Sequence, residues 1–348
     1  MELKTAIQKL RDSKELHVVN NEIDWKFQVG SICRKHFREP ILFSNIKGYN
    51  DFKIFTGGFS SEKTISILLG IEKYTSLKEI SCIVKKRLLN KIKPKIVNGT
   101  SSDNGFLNCS SVDLHSLPIP WWDRRDSGRY IGTWHANITK DIQNLTRNVG
   151  VYRMMVLDET HSTISVSKHS HLAQHFLKSE AMGRDLDMVT AIGTEEEIVM
   201  AAAAAVPIEC DEFESAGAIS CEPVILGRCM TISLEYPINS EIILEGKLKA
   251  GIRVTDGPFA DYTGTTSCNK NALLYEVSAM YYKNNPVFRG MAVGMPGAED
   301  HQMLSILASI GMMHFHGSKY RNIIQSFLLR CRLFKLFQLS GKILNKNL

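Results

Sequence analysis

Asp256 and Asp261 stand five residues apart around a Gly257-Pro258 turn, within Asp256-Gly257-Pro258-Phe259-Ala260-Asp261-Tyr262-Thr263-Gly264. A turn of that kind can aim both carboxyls at one pocket, where a nearby arginine keeps one charged while the other stays protonated as a general acid. Arg153 is the arginine of interest; it closes Asn148-Val149-Gly150-Val151-Tyr152-Arg153 and could fix a phosphate or carboxylate bidentately. Eighteen residues after Arg153, Lys168-His169-Ser170-His171 supplies an imidazole, which with the Asn148 amide oxygen makes acceptable ligands for a divalent ion such as Mn²⁺. A third place, Glu209-Cys210-Asp211-Glu212-Phe213-Glu214, packs four carboxylates into six residues and could add a metal ligand. Each place also has a plainer meaning: a solvent-facing loop, a solvated acidic turn, and a hairpin whose aspartates cap backbone amides. Taken singly, the plainer meaning is the commoner one.

The elements that would position these residues are partly readable. Leu3, Ile7 and Leu10 repeat at i, i+4 and i+7, which predicts a short amphipathic helix. His17-Val18-Val19, Pro40-Ile41-Leu42-Phe43 and Ile54-Phe55 read as strands, the last ending at Gly57-Gly58, and Ser60-Ser61-Glu62-Lys63 caps a helix carrying Ile65, Ile67, Leu68 and Leu69. The polar run from 98 to 105 is the best linker in the chain. Beyond it the signal turns to β, in Thr163-Ile164-Ser165-Val166-Ser167, Pro223-Val224-Ile225-Leu226, Cys229-Met230-Thr231-Ile232 and Ile242-Ile243-Leu244. One helix interrupts these strands, with Thr194 and Glu197 as a capping box before Ile198-Val199-Met200 and Pro207 as its stop.

A chain of 348 residues with 44% hydrophobic side chains can bury two or three ordinary cores. It contains no apolar run of the roughly 18 to 20 residues that span a bilayer, and its first residues form no apolar signal core, so the expected compartment is the cytoplasm. Eight cysteines lie scattered without a CxxC pair, which excludes a zinc ribbon and a thioredoxin-type redox motif. The net charge of +6 resides in the tail, where residues 301–348 hold seven Lys or Arg and no Asp or Glu. A nucleic-acid groove is therefore not expected in the body of the chain. The tail reads as a basic amphipathic helix around Ile323, Ile324, Phe327 and Leu328, suited to a partner subunit, to this protein's own body or to an anionic membrane surface.

Taken together, these places resemble the UbiD decarboxylase family in order and spacing. The resemblance runs from residue 1 to about 300, through the opening helix, Pro40 to Tyr49, Leu117-Pro118-Ile119-Pro120, Arg129-Tyr130-Ile131-Gly132, Asn148 to Arg153, Ser240 to Gly246 and Asp256 to Gly264. It implies an α/β (α+β) fold: a mixed α/β domain at 1–105, a split β-barrel flavin-binding domain at 106–300, and the basic helical tail at 301–348. By position it implies that Asn148, His171 and Glu212 bind the Mn²⁺ that clamps the phosphate of prenylated FMN, with K⁺ commonly nearby. Val151, Tyr152, Arg153, Ser165, Val166, Ser167, Ser170 and His171 would line the cofactor. Asp261 would be the proton donor, with Arg153 and Asp256 beside the substrate carboxylate.

The chemistry implied is reversible, non-oxidative decarboxylation of an aromatic or α,β-unsaturated acid, such as 3-polyprenyl-4-hydroxybenzoate or a simpler phenolic acid. Loss of CO₂ from an sp² carbon leaves electrons that the modified flavin, supplied by a flavin prenyltransferase, must take up. Three departures from the family pattern stand out. Asp256 replaces the usual Glu, one methylene shorter; Ala260 stands where Gly is common; and after Pro296-Gly297-Ala298-Glu299-Asp300-His301 the expected second α/β domain, which brings a lysine to the cofactor, gives way to the basic tail. A homo- or hetero-oligomer is expected, and the alternative reading is a catalytically impaired subunit of a hetero-oligomer.

Overall fold

The computed structural model describes residues 1–71, 75–99, 101–109, 111–132, 134–262, 264–294 and 297–311. Its first helix, Leu3–Asp12, buries Leu3, Ala6, Ile7 and Leu10, as the spacing requires. Each leucine or isoleucine so withdrawn from water is worth about 1.5–3 kcal/mol. The predicted strands form at His17–Val19, Ile41–Phe43 and Lys53–Thr56. The predicted helix forms at Glu62–Leu68, with Ser61 and Thr64 exchanging side-chain and backbone hydrogen bonds at its start. These three strands make a sheet whose fourth member, Val287–Arg289, arrives from far along the chain and pairs in parallel with Lys53–Thr56.

The second sheet has seven strands. Its main path runs His161–Ile164, Thr266–Lys283, Ile242–Ala260, Leu186–Ile192, His135–Lys140 and Arg147–Gly150, with Phe106–Asn108 added along Thr266–Lys283. The mixed α/β class expected from the sequence is borne out; the barrel takes the form of a sheet whose hydrogen-bonded path is open. Helices His171–Ala181, Glu196–Ala202 and Glu212–Ser220 lie beside it, and Glu299–Ser309 packs toward Leu77–Arg87. One core joins the two sheets through Leu10, Phe55, Trp134, Val189, Met200 and Ile306. A second packs Phe43, Trp122, Tyr130, Phe176, Leu244 and Phe288.

Four local expectations are corrected. Residues 229–232 are not a strand, because the buried Glu245 carboxylate draws the Met230 and Thr231 N–H groups to it at 2.7 Å each. Thr194 and Glu197 form no capping box: Thr194 donates to Glu195, and Glu197 pairs with the Met1 amine at 3.2 Å, leaving Glu195 at the cap. The strand predicted at 163–167 is instead His161–Ile164, and Ser165 to Ser167 lead into a helix the sequence reading missed. Finally, the chain does not turn at Gly257-Pro258. The strand continues to Ala260, its register shifting between Asp256 and Phe259, and the reversal comes at 261–265. The basic tail helix lies outside the described residues, among which no helix is long and apolar enough to cross a membrane.

Candidate functional site

Strand Arg147–Gly150 and the segment following it feed two polar clusters. At the strand, Asn148 is buried opposite Thr139, and its side-chain nitrogen has no hydrogen-bond partner among the described residues. The Val149 N–H donates to Glu212 Oε2 at 2.8 Å. Glu212 is the first residue of its helix, capped by Asp211 through the Phe213 N–H, so the acidic run is a helix start and not a free turn. His171 likewise opens its helix, behind Ser170, whose hydroxyl accepts the Ala173 N–H. The two helix starts meet: His171 Nδ1 lies 3.7 Å from Glu212 Oε1. Burial pushes the Glu212 carboxyl up, opposed by His171 and by the Val149 amide.

Tyr152 straps this cluster. Burial pushes its phenol up, opposed by the neighbouring Asn148 side chain, the Leu172 backbone and the Ser170 side chain. The ring folds back over Gly150, where a Cβ would lie 2.5 Å from a ring carbon, so a larger residue there would displace the Tyr152 ring. An amide, an imidazole and a carboxylate are a reasonable donor set for a hard divalent cation, and a half-turn of the Asn148 amide exchanges its partnerless nitrogen for an oxygen.

The second cluster is built on Arg153 and Asp256. Arg153 Nε donates to Asp256 Oδ1 at 2.6 Å, Nη1 to Ser267 Oγ at 2.8 Å and Nη2 to the Ser267 carbonyl at 3.2 Å. Asp256 is fully buried, and its other oxygen accepts the Thr163 hydroxyl at 2.6 Å. The missing methylene at position 256 therefore does not break the pair. Above the guanidinium lies Phe259 at 5.8 Å, itself stacked on Tyr130 at 3.9 Å. Burial, and then the Asp256 charge, push the Tyr130 phenol up, so it stays neutral. Ala260 takes no left-handed backbone angle, which accounts for its being tolerated.

Of the remaining predicted residues, Ser165 joins the second cluster, its N–H donating to the Arg153 carbonyl and its hydroxyl accepting from Asn269. Val151 and Val166 pack against the two cores, and Ser167 holds Ser170 through its carbonyl. Asp261 sits at the turn beyond Ala260; its N–H donates to Thr265 and its carbonyl accepts the Gly264 N–H, each at 3.0 Å. A pocket lined by Cys33, His36, Phe37, Thr56 and Met291 lies elsewhere and contains none of the predicted residues; burial pushes the Cys33 thiol up to about 12.

Asp126 escaped the sequence reading, although Asp123-Arg124-Arg125-Asp126-Ser127-Gly128 has the look of a turn. It accepts the Asp123 N–H at 2.9 Å with the Ala260 backbone beside it, while the Ser127 N–H donates to the Pro258 carbonyl. Burial pushes its carboxyl from the ordinary 3.8 up to about 6. Because the folded value is the higher one, the group's contribution to stability is complete below about pH 4 and is lost as pH rises through 6. Asp126→Asn, neutral throughout, should gain on the parent between pH 4 and 7, by about 1 kcal/mol after solvent screening. Urea melts across that range would show it; a constant difference would contradict it.

Comparison with known proteins places these clusters in context. Residues 97–296 match the model of the 3-octaprenyl-4-hydroxybenzoate carboxy-lyase Rift-related domain, and residues 7–84 match that of the corresponding N-terminal domain. The chain is 28% identical over 291 residues to an anhydromevalonate phosphate decarboxylase of Methanothermobacter thermautotrophicus, covering 84% of this chain and 65% of that protein. It is 28% identical over 325 residues to a phenolic acid decarboxylase of Bacillus subtilis, covering 90% and 68%. In fold it resembles the UbiD-class enzyme HmfF from Pelotomaculum thermopropionicum, solved with FMN, with a TM-score of 0.81 at 24% identity over 88% of this chain and 68% of that one. Across these and other curated relatives, the chain spans 57% to 68% of the partner's length.

Proposed function

This chain belongs to the UbiD family of carboxy-lyase-related proteins, and on that premise we propose that it decarboxylates an aromatic or α,β-unsaturated acid with prenylated FMN. The observation carrying this reading is that one short run, Asn148 to Arg153, feeds two different built clusters, one through the Val149 N–H to Glu212 and the other through Arg153 to Asp256. Names of relatives that decarboxylate phenolic acids and anhydromevalonate phosphate support the substrate class.

In this reading Asn148, His171 and Glu212 would hold a Mn²⁺, and Val151, Tyr152, Arg153, Ser165, Val166, Ser167, Ser170 and His171 would border the flavin. When bound, the modified flavin serves as the electron sink that makes loss of CO₂ from an sp² carbon feasible. The protein supplies orientation and a proton. Arg153 Nη1 keeps a second N–H beyond its bond to Ser267, and that edge can receive the substrate carboxylate. Asp256, anchored by Thr163, keeps the guanidinium flat against Ser267. Asp261 delivers the proton to the carbon that CO₂ leaves.

The test is co-expression with a flavin prenyltransferase, followed by absorption and mass spectrometry for bound prenylated FMN, metal analysis, and CO₂ release from a panel of phenolic, cinnamic-type and polyprenylated hydroxybenzoic acids. Retained flavin with about one manganese per chain is expected, and Glu212→Ala should lower retained manganese at least tenfold. A colourless, metal-free protein would overturn the reading of an independent enzyme and favour a subunit that works only in a hetero-oligomer.

A further inference from the structure

The candidate acid sits in a turn, and the turn has a grip on it from outside the sheet. Beyond Ala260 the chain closes through the Asp261 N–H to the Thr265 carbonyl and the Gly264 N–H to the Asp261 carbonyl, and neither bond uses the Tyr262 carbonyl. His301 Nε2 meets that carbonyl at 2.7 Å. Since a carbonyl only accepts, Nε2 must carry the proton. Beside it, Asp300 Oδ1 accepts the His301 backbone N–H at 2.8 Å and lies 3.0 Å from Nδ1.

The platform behind His301 is firm. It stands in the first turn of helix Glu299–Ser309, and the preceding residue but one, Glu299, is fixed by the buried Arg289 and by the Gly57 N–H. From the other side Gly294, at φ +91°, brings backbone against the turn: a Cβ there would stand 3.2 Å from Ala260 Cβ and 3.5 Å from the Asp261 carbonyl oxygen.

We propose that His301 is a positioning residue for Asp261: by holding the Tyr262 carbonyl it fixes the residue next to the acid, and so the direction in which the acid's carboxyl points. The proposal rests on Asp261 being the proton donor, but the grip can be measured without turnover. Hydrogen–deuterium exchange of peptides covering 259–266 should quicken at least tenfold in His301→Leu and in His301→Ala, with peptides from 242–248 and 287–289 unchanged. His301→Gln, which keeps an N–H at similar reach, should restore the parent rate. On a substrate the parent turns over, the Leu variant should lose about 10² in kcat with KM within twofold, as expected for a misplaced group, and the Gln variant should recover most of it. Parent-like exchange in either Leu or Ala would overturn the proposal, as would loosening spread through the whole helix. If the parent releases no CO₂ while the exchange pattern holds, the grip stands and the decarboxylase reading fails.

Discussion

On the proposed decarboxylase reading, Arg153→Lys should lower kcat/KM for CO₂ release by about 10² or more while the protein stays folded. The guanidinium makes three bonds at once, to Asp256 and to both the hydroxyl and the carbonyl of Ser267, and offers a further N–H in the same plane. An ammonium is a point donor on a flexible stem and cannot reproduce that fork. Lysine keeps the positive charge that the buried Asp256 needs, so the melting temperature should move by only a few degrees. Arg153→Leu removes the charge and leaves Asp256 with the Thr163 hydroxyl alone, which adds a stability loss of about 3–5 kcal/mol. Steady-state kinetics and thermal melts of the two variants separate these effects. Parent-like kcat/KM in the lysine variant would remove Arg153 from the site.

What the sequence made legible here is local. Leu3, Ile7 and Leu10 report a helix because the neighbours that bury them lie on the same face, and Ser61 caps its helix through a bond to Thr64 three residues away. Where a distant partner decides, the local signal fails. The β-branched run at 229–232 is drawn out of strand geometry by Glu245, and the Thr194–Glu197 box is dissolved by the Met1 amine. The helix His171–Ala181 was discoverable: Ser170 is a good cap, and Leu172 and Phe176 repeat at i, i+4. The competing signal is Lys168-His169-Ser170-His171, which reads equally as a polar loop.

The site divides in the same way. Asn148, Tyr152, Arg153, His171, Glu212, Asp256 and Asp261 were nameable through the family resemblance, and the fold gathers the first six into two adjoining clusters. Thr163 and Ser267 were not nameable as site residues, since each is a common residue type whose partner is distant along the chain, Asp256 for Thr163 and Arg153 for Ser267, and Asp126 is set by its burial beside the Ala260 backbone. The strand order explains the difficulty. His161–Ile164 and Ile242–Ala260 both flank Thr266–Lys283, and only that arrangement brings the Thr163 hydroxyl to Asp256.

The same nonlocal logic makes Arg289 the residue whose loss should cost the fold most. It is buried among Phe55 and Trp134, donates to Glu196 Oε1 at 2.8 Å, and meets Glu299 Oε2 at 2.5 Å. Glu196 also accepts the Trp134 indole N–H, and Glu299 the Gly57 N–H, so one cation ties together both sheets, the helix Glu196–Ala202 and the helix that carries His301. Burial pushes the Glu196 carboxyl up, and Arg289 is the largest influence holding it down. Arg289→Met fills much of the same volume but strands two buried carboxylates without a cation, a loss of about 3–5 kcal/mol at pH 7.5, a large part of the 5–15 kcal/mol that holds a typical domain folded. Burial already raises the Glu196 carboxyl, so without the Arg289 cation it folds more readily when protonated, and the deficit should shrink as the pH is lowered toward 5. The triple variant Glu196→Leu, Arg289→Met, Glu299→Leu, which removes every charge, should recover most of the loss at pH 7.5. Denaturant melts at the two pH values test both statements. A pH-independent deficit, or a triple variant no better than the single one, would mean that Arg289 acts by packing against Phe55 and Trp134 and not as the cluster's cation.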